Sequence, residues 1–284
     1  MRLGSVEGGG TKFVCGIGTA DGHILDTLTI PTTTPEQTLG HVMQYFQQHD
    51  IAAIGFGSFG PIEIDSRKPL YGNMLKTPKP HWSGFPVLAY LKTQLTMPIA
   101  LTTDVNSAAL GEATWGTAAG LDNCLYMTVG TGIGAGAIVN GQILHGFMHP
   151  EMGHMIVRRH EEDAFEGHCP FHKDCLEGLA SGRAIEARYG VKAHQLDSGH
   201  DVWELIAYYL AQAITNIALV IAPKKVVVGG GVLKQTHLLP RIRRHVRQML
   251  NGYMDVDDHW IVAPKLGDMS AIKGGLALAR AIVP

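Results

Sequence analysis

The chain has 284 residues, more than a single core of common size needs, so two lobes of roughly 100 to 150 residues each are expected. Hydrophobic residues make up 45% and charged residues 17%, which excludes a disordered chain. The formal net charge of -2 excludes nucleic-acid or membrane binding driven by a broad positive field.

Met1-Arg2 runs directly into a strand-like segment, and no apolar stretch approaches the ~20 uninterrupted residues that span a bilayer, so a cytoplasmic, non-membrane protein is expected. The first element is a strand–turn–strand unit, SVEGGGTKFVCGIGTADGHIL, from Ser5 to Leu25. A second copy, MTVGTGIGAGAIVNGQIL, runs from Met127 to Leu144. In both, an apolar segment meets a Gly/Thr-rich turn and a second apolar segment follows, closed by Asp21-Gly22 or Asn140-Gly141, each a type I′ hairpin signal. The glycine loops therefore lie inside hairpins. A dinucleotide fold or a Walker A loop places a helix directly after its glycines, and neither segment offers one.

Between the hairpins the pattern predicts a helix over Thr38 to His49, a buried strand over Ala52 to Phe56, a helix over Pro86 to Leu95 and a strand over Ile99 to Thr103. Such alternation predicts a mainly parallel sheet covered on both faces. Asp104 then opens a helical stretch, as N-cap or as a carboxylate at the carboxyl end of a strand, where α/β sheets bind ligands. After the second hairpin, Ala180 to Tyr189 and Asp201 to Ala222 read as helices, the latter with Asp201 and Glu204 at capping-box spacing. Lys225 to Val228 reads as a buried strand entering Gly229-Gly230-Gly231, Arg241, Arg243, Arg244 and Arg247 as a solvated helix face, and Ala271 to Val283 as a terminal helix.

Glycine turns let backbone N–H groups approach an anion with no Cβ in the way, and Thr11, Lys12 and Thr131 add donors, so the paired turns are candidates for the phosphates of one nucleotide. Asp104 is a candidate base for an attacking hydroxyl. Cys169, His172 and Cys175 recur at three-residue intervals, and His154 supplies a fourth ligand for a closed tetrahedral zinc site. Four cysteines are too few for a disulfide scaffold, and Cys15 and Cys124 lie in apolar segments as core residues. Glu151 and Glu177 flank the metal ligands and could accept hydrogen bonds from sugar hydroxyls.

Taken in order, Gly9 to Lys12, Asp104-Val-Asn-Ser-Ala-Ala-Leu-Gly-Glu112, Thr131-Gly-Ile-Gly134, Glu151-x-Gly-His154 and the Cys/His cluster resemble the ROK family of sugar kinases and related repressors, across nearly the whole chain. Glu7 to Lys12, Gly57-Ser-Phe-Gly-Pro61 and Thr77-Pro-Lys-Pro80 resemble the bacterial fructokinases of that family. The resemblance implies a two-lobed actin-like ATPase, ribonuclease H-like α/β fold with a small zinc subdomain. The lobes would be 1–115, completed by 271–284, and 116–270. It implies an ATP-dependent hexose kinase converting fructose to fructose 6-phosphate, with mannose or glucose as alternative substrates, Mg2+ with the nucleotide, structural Zn2+ and a homodimer. It assigns Asp104 as base and sugar ligand, and Glu151, His154 and Glu177 to the sugar pocket. Gly9, Gly10, Thr11 and Lys12 fall to the first phosphate turn and Thr131 and Gly132 to the second. Arg183 and Gly229, Gly230, Gly231 and Val232 fall beside the nucleotide, and His154, Cys169, His172 and Cys175 on the zinc. Three positions depart from the pattern: Glu7 replaces the aspartate usual in the glucokinases, Thr103 replaces a sugar-contacting asparagine, and Arg183 replaces a proline. A repressor of the family would carry an N-terminal helix-turn-helix, for which the first ten residues leave no room.

Overall fold

The computed structural model describes residues 1–283. In chain order the elements are β1 (Arg2–Gly8), β2 (Lys12–Thr19), β3 (Ile24–Pro31), α1 (Pro35–Gln47), β4 (Ile54–Ser58), α2 (Val87–Leu91), β5 (Ile99–Thr103), α3 (Asp104–Trp115), β6 (Cys124–Val129), β7 (Ile133–Val139), β8 (Gln142–Ile143), α4 (Leu176–Ala180), α5 (Gly182–Tyr189), α6 (Val202–Ile221), β9 (Val226–Gly229), α7 (Leu238–Leu250), β10 (Ile261–Val262) and α8 (Ser270–Arg280). They form two compact units. One holds Met1–Gly120, Ile143–Pro150 and Asp268–Pro284, and the other Leu121–Gln142 and Glu151–Gly267. The return of the C-terminal segment to the first unit follows the expected lobes, 1–115 with 271–284 and 116–270, while the segment Ile143–Pro150 also belongs with the first unit. There the Lys68 ammonium holds the Glu63 carboxylate at 3.0 Å and the Phe147 carbonyl, and the Ile62 N–H points at His149 Nε2, 3.4 Å away.

Each unit is built on a five-stranded sheet, ordered β3-β2-β1-β4-β5 in the first and β10-β9-β6-β7-β8 in the second. Read from the opposite edge, the second order is β8-β7-β6-β9-β10, so the internal repeat seen in the sequence is a repeat of topology. The sheets are mixed. In the first, β1/β2 and β2/β3 are antiparallel and β1/β4 and β4/β5 parallel; the expected mainly parallel sheet is corrected accordingly, since hairpins supply antiparallel pairs. Asn140 and Gly141 both have positive φ, as a type I′ turn requires. At Asp21-Gly22 only Gly22 does, and a register shift between Ile17 and Gly18 takes up the difference.

Apolar periodicity places the helices, and local chemistry sets their ends. α1 starts at Pro35 behind a Thr34 cap that accepts the Gln37 N–H. The helix expected over Ala180 to Tyr189 is α5, starting two residues later; Ala180 ends a separate short helix, α4, and the Ser181 hydroxyl caps α5 through the Ala184 N–H. The capping box at Asp201 and Glu204 does not form. Asp201 makes no side-chain cap bond, because Glu204 turns to Arg244 and to His245 at 2.7 Å on α7. The arginine face of α7 is likewise engaged, with Arg243 donating to the Ile261 carbonyl and Arg247 to Asp258.

The first unit's core gathers Phe13, Phe46, Phe56 and Trp82, all fully buried. On its other face α8 lies against the sheet and α3 at backbone distance. A Cβ at Gly274 would sit 1.6 Å from the Ser107 carbonyl oxygen, and one at Gly55 1.9 Å from that of Gly275. Ser5 and Ser107 donate to the Ile272 and Ala271 carbonyls at 2.7 Å, and Ser270 donates to the buried Glu112 at 2.8 Å. In the second unit α6 is long and apolar enough to cross a membrane, with a mean hydropathy of 1.5 in its best window. The expectation that no stretch approaches that length is corrected. α6 is a core helix: Trp203, Ile206, Tyr209, Leu210 and Ile214 are fully buried within the unit.

Candidate active site

Strand register brings the sequence motifs to one edge of each sheet. In the first unit Gly8 pairs with Ser58 and Ser58 with Thr103, so three parallel strands end level. The Gly9–Lys12 turn, the Gly57-Ser-Phe-Gly-Pro61 segment and Asp104 all leave from that edge, which is where open α/β sheets bind ligands. In the second unit Thr128 pairs with Gly229, so the turn after Val129 and the Gly229–Val232 segment share an edge in the same way. Gly230, at φ +96°, lies directly on Val129, where any side chain would clash with the strand backbone.

Asp104 is not the N-cap of α3. Thr103 is, its hydroxyl accepting the Asn106 N–H at 3.2 Å. That leaves Asp104 as the first helical residue, half-buried, with Oδ1 accepting the Val105 N–H at 2.9 Å. Its charge is felt by Glu7 at the end of β1. Burial, then the charges of Asp104 and Asp268, push Glu7 up to about 7 against the opposing pull of Lys12.

Each glycine turn is closed by a backbone hydrogen bond, reaching three residues ahead in the first and two in the second. Gly9 N–H donates to Lys12 O and Gly130 N–H to Gly132 O, both at 2.9 Å. In the first turn Thr32 braces the backbone, its hydroxyl donating to Gly9 O at 2.7 Å and its N–H to Thr11 O at 3.0 Å. The start of α5 braces the second, with the Gly182 N–H donating to Gly130 O at 2.7 Å and the Arg183 N–H to Thr131 O at 3.4 Å. Arg183 thus stands beside the second turn, its side chain exposed. Glu177, on α4, gives Oε2 to the Ile133 N–H at 2.9 Å, tying α4 to the same turn. Glu151 keeps an exposed surface, yet protein crowding around its carboxyl, then the Glu177 charge, push it up to about 7.

His154, Cys169, His172 and Cys175 converge as their spacing predicts, each offering one ligand atom within 4.8 Å of all the others. His154 Nδ1 lies 3.5 Å from Cys175 Sγ and 3.6 Å from Cys169 Sγ, and His172 Nδ1 lies 3.7 Å from Cys169 Sγ. The N···S edge of a zinc tetrahedron, from Zn–S of ~2.3 Å and Zn–N of ~2.0 Å, is about 3.6 Å. The ligand set therefore fits a tetrahedral N2S2 metal site. Cys15 and Cys124 are buried core residues. Beside the cluster is a clasp that the motifs do not announce. Buried Arg188 pairs with both oxygens of buried Asp163, Tyr209 donates to Asp163 Oδ2 at 2.6 Å, and Arg188 stacks over Phe165 at 4.2 Å. Burial opposes ionisation of Asp163, but the hydrogen bonds from Arg188 and Tyr209 outweigh it and hold the carboxyl below its usual range.

The family model described as the ROK family matches residues 3–282. The chain belongs to the ROK family. Fructokinase from Pediococcus pentosaceus is 46% identical over 99% of this chain and 98% of its own length, and fructokinase from Streptococcus mutans serotype c 42% identical over 98% and 97%. Among solved structures, a ROK family glucokinase from Streptomyces griseus in complex with glucose and AMPPNP superposes with a TM-score of 0.81 at 25% identity, covering 99% of this chain and 100% of that one. The fold of this ROK protein is thus the α/β actin-like ATPase fold, and its second unit carries the Cys/His cluster.

Proposed function

We propose that this ROK protein is an ATP-dependent fructokinase, transferring the γ-phosphoryl group of ATP to fructose to give ADP and fructose 6-phosphate. The observation that carries the reading is the edge of the first sheet, where a phosphate-type turn and a carboxylate at the head of a helix leave adjacent strands. The fructokinase relatives, at 42% and 46% identity over nearly full length, support fructose as the acceptor.

In this mechanism Asp104 accepts the proton of the attacking fructose hydroxyl while its oxygen bonds to the γ-phosphorus and the bond to the β-phosphate oxygen breaks. In the first unit the backbone N–H groups of Gly9 to Lys12 are the proposed phosphate donors; in the second, taken by itself, those of Thr131 and Gly132 are, with Arg183 and Gly229 to Val232 proposed for the nucleoside. Glu151, Glu177 and the second ring nitrogen of His154 orient the sugar. Mg2+ brought with the nucleotide supplies charge neutralisation of the phosphates. Glu7 and Asp104, whose mutual repulsion a divalent cation relieves, are the carboxylates that the first unit offers it. Zn2+ is structural in this reading, because four protein ligands leave no open position for a reacting water. The proposal includes a cytoplasmic location, where ATP and free hexose meet, and a homodimer, which sedimentation tests.

The test is Asp104→Asn. It is expected to lower kcat by about 10^2- to 10^4-fold while leaving fructose and ATP binding within a few-fold of wild type. Near-normal turnover by the variant would refute the role of Asp104.

A further inference from the structure

The motif Thr77-Pro-Lys-Pro80 has no part in the mechanism above, yet the fold brings it onto the first glycine turn. The Lys79 ammonium donates to the Gly10 carbonyl at 2.7 Å and to the Thr32 carbonyl at 3.2 Å. Three residues on, buried Trp82 donates its indole N–H to the Thr33 carbonyl at 2.9 Å and stacks on Phe13 and Phe59. The segment is a strap fastened at both points to the end of β3, with Lys79 as the fastening that also reaches the turn.

The consequence is geometric. A trans peptide is planar, with its C=O and the following N–H pointing in opposite directions. Thr32 draws the Gly9 carbonyl to one side, which sends the Gly10 N–H to the other. Lys79 draws the Gly10 carbonyl, which does the same for the Thr11 N–H. Among the described residues neither N–H has a backbone or side-chain acceptor. The carbonyls, which would repel an anion, are sequestered by a hydroxyl and an ammonium, and the two donors are left to a ligand. The ammonium charge adds to the attraction at the same place.

We propose that Lys79 is a positioning residue for the nucleotide: it fixes the Gly10–Thr11 peptide so that its N–H presents to the ATP phosphates. This rests on the reading of the Gly9–Lys12 turn as a phosphate cradle, and the test is chosen to separate the two. AMPPNP and adenosine binding are measured by calorimetry on the full-length protein and its Lys79→Met, Lys79→Gln and Lys79→Arg variants, alongside melting curves. Lys79→Met is expected to weaken AMPPNP about tenfold, the scale of one charge-assisted hydrogen bond. Adenosine affinity and KM for fructose should stay within about twofold of wild type, a difference too small to represent a lost hydrogen bond, and Lys79→Arg should recover most of the AMPPNP loss. Lys79→Gln, which keeps a neutral donor, should fall between and serves if Lys79→Met does not fold. Equal AMPPNP affinity in all four proteins would overturn the proposal, as would a parallel loss of adenosine binding, which marks general loosening of the fold. Wild-type protein that binds AMPPNP but does not phosphorylate fructose would sink the substrate assignment and leave Lys79 standing.

Discussion

Asp104 owes its candidacy to place rather than residue type. The cap duty that its position suggests is taken by Thr103, and the carboxylate stands on the first turn of α3 at the end of a buried strand. Its neighbour Glu7 pays part of the cost of concentrating negative charge there. With a folded pKa of about 7 against an ordinary 4.5, Glu7 holds its proton in the native state over a pH range where the unfolded chain has released it. Stability therefore falls as pH rises from about 4.5 to 7 and is flat above; Glu151 acts in the same direction. Replacing Glu7 with Gln should remove its share, up to about 3 kcal/mol between pH 5 and pH 8. Urea denaturation at the two pH values checks this, and an unchanged pH dependence would show that Glu7 is not perturbed. At this scale the sequence was legible where spacing is chemistry, as in Cys169, His172 and Cys175, which converge with His154. It was opaque for Lys79, Glu7 and the Asp163–Arg188–Tyr209 clasp, whose partners lie far along the chain and follow no period.

At the scale of elements, hairpins and strands were legible because Gly-Thr turns and alternating apolar runs are local signals. Ile99 to Thr103 is a strand with the bounds its pattern predicts. The seam of α3 and α8 was not legible, because Gly274-Gly275 reads locally as poor helix and only the close approach of Ser107 and Gly55 explains it. Gly274→Ala is expected to force α8 off α3 and cost about 1–3 kcal/mol or more. A thermal melt reads the loss, and a melting temperature equal to wild type would mean the seam is looser than described. The metal loop makes a second prediction. A structural zinc contributes on the order of 10 kcal/mol to local folding, so chelation confirmed by elemental analysis should expose amides at Met152 to Met155 and at Cys169 to Glu177 to hydrogen exchange and raise KM for fructose. Protection should persist around Asp163, which the Arg188 and Tyr209 clasp holds without metal. Unchanged exchange after metal removal would contradict a structural role.

At the scale of the molecule, one plan is used twice. Each unit sets a hairpin with a glycine turn beside parallel strands, in the same order, with a backbone N–H to C=O bond closing each turn. Repetition was visible in the sequence because both copies keep the turn residues. The return of 143–150 to the first unit was not visible, because it depends on Lys68, Glu63 and His149 rather than on any pattern within the segment. The second unit adds Glu151, Glu177 and the Cys/His cluster. The central claim is transfer of phosphate to fructose, and the most direct measurement is phosphorus NMR of the purified protein incubated with Mg-ATP and fructose. ADP and fructose 6-phosphate are expected in equal amounts, with less than about a hundredth as much formed by Asp104→Asn over the same time. ATP consumed without a sugar phosphate, or a sugar phosphate formed as readily by Asp104→Asn, would contradict it.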